Sequence, residues 1–397
     1  MAQTSAEQMR AWTGPALFSF GFRPFFLFGA VWVVVAMLLW LPALTGAIAL
    51  PTQFDPVSWH AHEFLFGYLG AVLAGFLLTA VPNWTGRLPM VGWTLAALFG
   101  LWVAGRVAIL ISAILPASVA PAVDLAFPLV LGAMILREIV AGKNWKNLIV
   151  LALLAVFTLA NALFHVEALQ GGFAARGQGL RLGVATAVMM IAVIGGRIIP
   201  SFTRNWLARG QTPARPAPPM QRFDKLVLMA SVPALLFWVV RPFDAFTGVL
   251  LVGLGVLHVV RLIRWQWQHT LREPLVWVLH LSYAFIPLGA LLVGTELLLG
   301  STATAAAQHL WMTGAIGGMT LAVMTRATLG HTGRALTANR ATVVIYLCLF
   351  AAVAARLATP ALPVLGYVSG ILWLAAFGGF TYAYGPMLMR RKPETRK

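Results

Sequence analysis

Charge is what this chain has least of. Of its 397 residues only 10% are Asp, Glu, Lys or Arg, against roughly 25% in a soluble domain. Sixty per cent are hydrophobic, and so few polar side chains cannot cover the surface of a soluble protein of this length. Cysteine is nearly absent. Cys348 stands alone, which excludes a disulfide framework, a four-cysteine metal site, an iron–sulfur cluster and a CxxCH haem attachment. Any haem is therefore held non-covalently, through histidine or methionine. There is no Walker loop, no GxGxxG after a strand and no zincin motif, so nucleotide-driven chemistry has no support. Acidic residues are scarce as well: 11 against 28 Lys and Arg, a formal charge of +17. The cations sit in short loops between apolar runs, which is positive-inside patterning and excludes nucleic acid as the partner. No small-residue cleavage pattern follows the first apolar run, which reads as a retained helix.

What is present is a series of apolar runs near the length that crosses a bilayer. They fall at Phe25–Leu44, Ala61–Ala80, Trp93–Leu115, Val119–Leu136, Leu148–Leu163 and Leu182–Ile199. A second set lies at Leu226–Val240, Ala245–Ile263, Leu275–Leu299, Ala303–Thr325, Ala341–Ala355 and Val364–Met389. The expected fold is an all-α polytopic membrane bundle of about twelve helices embedded in a lipid bilayer. The stretch 208–223 carries too many prolines to be helical, so it is read as a linker between a first half, 1–207, and a second, 224–397. Lys and Arg concentrate in the loops and tail that share one side with the linker, the tail including Arg390, Arg391, Lys392, Arg396 and Lys397. This places both termini in the cytoplasm.

An internal repeat is visible. His62 to Arg87 and His309 to Arg334 align over 26 residues with seven identities, among them His62/His309, Gly67/Gly314, Gly70/Gly317 and the closing Thr-Gly-Arg. A fainter copy runs through Leu180–Asn205, which would make the bundle three four-helix units.

Ionisable groups inside a membrane are costly and become the functional candidates. His60, His62 and Glu63 open the second helix. Residues i and i+2 point about 200° apart, so the two rings serve different faces. His309 stands at the matching end of the tenth helix, and an imidazole pair from facing helices suits a b-type haem, as imidazole also suits copper. Interfacial histidines beside Trp59 are the bland alternative. His165 ends the fifth helix, where it completes a metal set with His60 or simply meets the helix dipole. His280 and His258 fall at similar depth, which permits shared ligation; His280 is the better ligand, His258 reads as a polar residue near Arg261 at the interface, and His269 as a solvated loop residue. His331 is a ligand or a loop anchor. Arg106 and Arg326 are placed to pair with haem propionates, whereas Arg23 and Arg197 read as snorkelling side chains. Glu63 and Glu296 are the evident membrane carboxylates.

Several stretches resemble the NnrS family: Gly21-Phe-Arg-Pro-Phe-Phe26, Trp59-His-Ala-His-Glu-Phe-Leu-Phe-Gly67, Gly75 to Arg87, Gly195 to Asn205, Leu279-His-Leu-Ser-Tyr283 and Gly314 to Arg334. The resemblance implies a bacterial inner-membrane protein that contains haem and copper and is linked to denitrification and nitric oxide tolerance. It carries His60, His62, Glu63, His165, His280, His309 and His331 over as motif residues, without dividing them between iron and copper. A remoter likeness is to the catalytic subunit of haem–copper oxidases, which takes haem ligands from helices 2 and 10. The sixth and seventh helices here have no histidine, so the three-histidine copper site of that subunit is missing.

The expected function is thus action on nitric oxide or metal-nitrosyl species with haem b and copper. As an oxidoreductase it would draw on an electron donor such as quinol; oligomeric state is open. The competing readings are a twelve-helix secondary transporter, whose charged signature loop is lacking after the second helix, and a haem-based nitric oxide sensor without turnover.

Overall fold

The computed structural model describes residues 11–210, 213–301 and 304–391. Two linker residues, 211 and 212, and the tail cations Lys392, Arg396 and Lys397 lie outside the described residues. Among the described residues the chain is helical and without strands: an all-α polytopic bundle, as expected.

Twelve long helices are numbered here in chain order. They are α1 (Phe22–Leu44), α2 (Pro56–Thr85), α3 (Trp93–Leu110), α4 (Val119–Ala141), α5 (Leu148–Leu169) and α6 (Gln178–Arg209). Then follow α7 (Arg222–Val240), α8 (Ala245–Ile263), α9 (Pro274–Leu298), α10 (304–331), α11 (Arg340–Ala358) and α12 (Leu365–Met389). Among the described residues, eleven helices are long and apolar enough to cross a membrane. The elements overrun the apolar runs where polar residues continue a turn. Thus α2 starts at Pro56 and α6 reaches Arg209, because backbone hydrogen bonding, not hydropathy, sets the ends of a helix.

The ends follow local rules. Asp55 caps α2, accepting from the Val57 and Ser58 amides with Pro56 behind it, and Gly86 closes that helix at φ 69°, a conformation L side chains rarely adopt. Asp244 caps α8 and Glu273 caps α9 ahead of Pro274. A reciprocal box between Gln221 and Asp224 opens α7. The linker residues 213–221 form no helix.

The chain forms two compact units: Met1–Gly183 with Ala327–Ala335 and Phe380–Lys397, and Val184–Arg326 with Leu336–Gly379. In the first, α2 is central, with 89% of its apolar window buried. Ala71, Ala74, Leu78 and Val81 of α2 pack on Leu95, Leu98 and Trp102 of α3 and on the ladder Phe127, Leu131, Ile135 and Ile139 of α4. Lipid is as apolar as leucine, so contact quality rather than water exclusion holds such helices together. In the second unit, α8 and α9 meet backbone to backbone: a Cβ on Gly248 would stand 2.9 Å from the Gly294 carbonyl.

Among the described residues three helices contain a wide π turn: Glu63–Leu69 in α2, Ile191–Gly195 in α6 and Leu310–Gly317 in α10. A π turn loosens the ladder and leaves carbonyls open to other donors. The Trp102 indole donates to the Gly67 carbonyl at 3.0 Å, and Arg261 donates to the Ala192 carbonyl at 2.9 Å. The turns of α2 and α10 occupy the same register of the internal repeat, since both begin one residue after the aligned histidines His62 and His309.

Candidate metal centre

In the first unit, four helices aim polar groups at one buried point. His62 and Glu63 come from the first turns of α2, Arg106 from α3, Asp124 from α4, and Asn161 with His165 from α5. Asn161 and His165 are one turn apart and so share a helix face. All six are buried, His62 and Glu63 completely. His62 Nδ1 lies 2.9 Å from Glu63 Oε1, and its Nε2 lies 3.0 Å from Asn161 Oδ1 and 3.2 Å from Asp124 Oδ2. His165 Nε2 reaches Asp124 Oδ2 at 3.0 Å, and Asn161 Nδ2 donates to the same oxygen at 2.7 Å. Arg106 donates to Glu63 at 2.7 Å and to Asp124, and the Trp32 indole donates to the other Glu63 oxygen at 2.6 Å. Pro128 sits inside α4, four residues after Asp124. It has no N–H to give, so the Asp124 carbonyl loses its helical partner.

Two features of this set matter chemically. His62, Asp124 and His165 each offer one ligand atom, and the three atoms lie within 4.8 Å of one another. Two carboxylates also share a single guanidinium, which leaves the buried set one positive charge short. Both ring nitrogens of His62 face acceptor oxygens. The arrangement therefore calls for one more cation, as a proton or a metal ion, because an uncompensated buried charge is strongly unfavourable.

Glycine at position 67 makes the approach possible. A Cβ there would stand 2.5 Å from Arg106 Nη1 and 2.9 Å from Glu63 Oε2, whereas a Cβ at Gly70 would meet nothing closer than 3.9 Å. Gly67→Ala is expected to lower stability by about 1–3 kcal/mol through overpacking, and Gly70→Ala to leave it near the wild-type value. Equal thermal midpoints for the two variants in detergent would show that the ion pair does not need the space.

Of the residues singled out by sequence, His62, Glu63, His165 and Arg106 come together. Arg106 engages the protein's own carboxylates. His60 diverges as its spacing predicts: it is half-buried and stacks on Trp40 at 4.0 Å. His331 is exposed and lies 5.4 Å from the rings of Phe20 and Phe22. Arg23 caps the end of α12, donating to the Leu388 and Arg390 carbonyls. Asp124 and Asn161 were not singled out by the sequence reading. The signal for Asp124 was a lone acid in an apolar run; with it and the buried Asp224 of the second unit, Glu63 and Glu296 are not the only membrane carboxylates.

The second unit holds its own buried network. Arg261 donates to Asp224 at 2.7 Å and to the Tyr283 hydroxyl at 2.9 Å. That hydroxyl lies 2.8 Å from His258 Nδ1, and His258 Nε2 lies 3.1 Å from Ser231. His280 is bonded separately, through Nε2 to Thr203 at 2.8 Å, and its buried Nδ1 has no partner. His309 is half-buried and donates Nδ1–H to its own Ala305 carbonyl at 2.6 Å, which leaves Nε2 as the lone-pair nitrogen. Arg326 stacks on Phe202, 4.0 Å from the ring centre, and His269 is exposed.

The fold and this site together define a polytopic membrane protein with a buried histidine–carboxylate constellation able to hold a metal. The chain belongs to the NnrS family: the family's sequence model, described as NnrS protein, matches residues 16–392. No curated protein matches the chain.

Proposed function

We propose that this protein binds copper at His62, Asp124 and His165, carries haem b in its second unit, and acts on nitric oxide or metal-nitrosyl species in nitrosative-stress defence or denitrification. The observation that supports it most is the charge-deficient ligand set around Asp124. The two imidazoles suit copper, as they suit zinc and iron. Glu63, bonded to Nδ1, would orient the His62 ring with Nε2 as the ligand nitrogen, and Arg106 would hold both carboxylates in place, the supporting role that outer partners play at metal sites. For haem, His309 has the arrangement expected of an imidazole ligand, with one nitrogen anchored on a carbonyl and the other free; His280 offers a second buried imidazole with an orphaned nitrogen. A haem iron supplies a centre that binds nitric oxide. What the chain supplies is orientation, exclusion of water and fixed charge. An oxidoreductase of this kind takes electrons from a donor such as quinol. The setting proposed is the bacterial inner membrane with both termini cytoplasmic, and two six-helix halves, 1–207 and 224–397, joined by the linker 208–223.

Metal analysis with optical spectra of detergent-purified protein, grown copper-replete, tests this. One copper per chain is expected in the wild type, lost in His62→Ala and His165→Ala with the haem absorption retained. Loss of the Soret band with copper retained is expected for His309→Ala or His280→Ala. Nitric oxide should shift the wild-type spectrum. A copper-free wild type, or zinc or non-haem iron in its place, would overturn the copper assignment, and a wild type without a Soret band would remove haem.

A further inference from the structure

Beside the ligand set, a narrow crevice runs between α4 and α5 with α2 as its floor. It is lined by Phe66 and Gly70, by Phe127, Pro128 and Leu131, and by Leu154, Phe157 and Thr158, and it ends on Asp124 and Asn161. Until that end it offers nothing polar, since the Thr158 hydroxyl is turned back to the Leu154 carbonyl at 2.9 Å. Gly70 leaves the floor open, with the Phe127 ring edge 3.9 Å from where a Cβ would be. Outside the crevice the same two helices present apolar side chains to lipid: Leu129 is 60% exposed on α4 and Leu159 is 54% exposed on α5. Pro128, at its lip, is half-buried.

We infer that this crevice is an inlet through which a small uncharged molecule, of the size of a diatomic gas, passes from the hydrocarbon of the bilayer to the Asp124 centre. The space is that of a single small molecule, which excludes an acyl chain or a quinone ring. An ion or a hydrated solute would lose its water against phenyl and leucyl walls at a cost of several kcal/mol. An apolar diatomic, already dissolved in the hydrocarbon, loses nothing. At the closed end it meets Asp124, one of the three residues that offer ligand atoms, so the path leads to the centre rather than past it. That the gas is nitric oxide rests on the proposed function; the inlet itself does not.

Xenon is the probe, because it binds apolar cavities whatever metal is present. Wild-type protein in nanodiscs, loaded or metal-free, should show a saturable xenon resonance that is lost in Leu131→Trp, whose indole fills the crevice. In loaded protein the same variant should slow the reaction of nitric oxide with the metal at Asp124 about tenfold, followed by the copper signal and not by the haem bands, and leave the equilibrium copper spectrum unchanged. Gly70→Ala, which the fold accommodates, should weaken xenon binding even if the tryptophan variant does not assemble. Absence of xenon binding in the wild type would overturn the inlet. So would an unchanged nitric oxide rate in a variant that has lost xenon. If the loaded wild type failed to bind nitric oxide at all, the functional reading would fall while the xenon result still decided the inlet.

Discussion

Replacing Asp124 by alanine should remove the metal and, in metal-free protein, lower the unfolding free energy by about 3–5 kcal/mol, the usual result of stripping one partner from a buried ion pair. Four side chains converge on this carboxylate: Arg106, Asn161, His165 and His62. Removing it leaves the guanidinium with Glu63 alone, and leaves His165 and the Asn161 amide without an acceptor in a buried site. Each orphaned donor adds about 1–3 kcal/mol, so the upper end of the range is expected. The comparison belongs on metal-free samples, by thermal unfolding in one detergent, because metal loss alone would also destabilise the loaded wild type. Asp124→Asn should fall between the two. Its amide oxygen can accept one donor but does not offset the Arg106 charge. If metal-free Asp124→Ala unfolds at the wild-type midpoint, the network does not hold these helices and its role is confined to the ligand.

The second large effect is expected at Arg261→Met, and it should dissociate stability from metal. Arg261 is fully buried, bonded to Asp224, Tyr283 and the Ala192 carbonyl, and lies over the Trp265 ring at 5.3 Å. Methionine fills much of the volume but leaves Asp224 uncompensated, at a cost of about 3–5 kcal/mol. Copper content should be unchanged, since the ligand set lies in the other unit. The double variant Arg261→Met/Asp224→Leu should recover a large part of the loss, because an apolar pair removes the charge as well as its partner. Recovery stays incomplete, since Asp224 also accepts from the Gln221 amide at 3.0 Å in the capping box of α7. Copper loss in Arg261→Met would break the separation between a structural network and a metal site.

Much of this molecule was legible in its sequence, but unevenly. The twelve helices follow from apolar length. His62, Glu63, Arg106 and His165 were each conspicuous as ionisable groups in apolar surroundings. That they meet one another was not legible. In a soluble helix the polar stripe announces which face turns inward; in α4 nearly every position is apolar, so nothing announced that Asp124 faces α5. Equal depth likewise leaves rotation about the helix axis open: His258 turns to Tyr283 and Ser231, beside Arg261, and His280 to Thr203. Asp224 was overlooked because it borders the linker, where a carboxylate reads as solvated.

The wide turn in α2 bears on that rotation directly. A π turn inserts one residue into the winding, which advances every later side chain by about 100° relative to an uninterrupted α-helix. Above the insertion, His62 and Glu63 address α3 and α5; below it, Gly75 lies against Phe25 and Phe26 of α1, where a Cβ would be 2.7 Å from the nearest ring atom. One rod thus carries two phases, one aligned for ligation and the other for close packing. Neither compromises the other, because the inserted residue lets the two halves be tuned as separate gears on a common shaft.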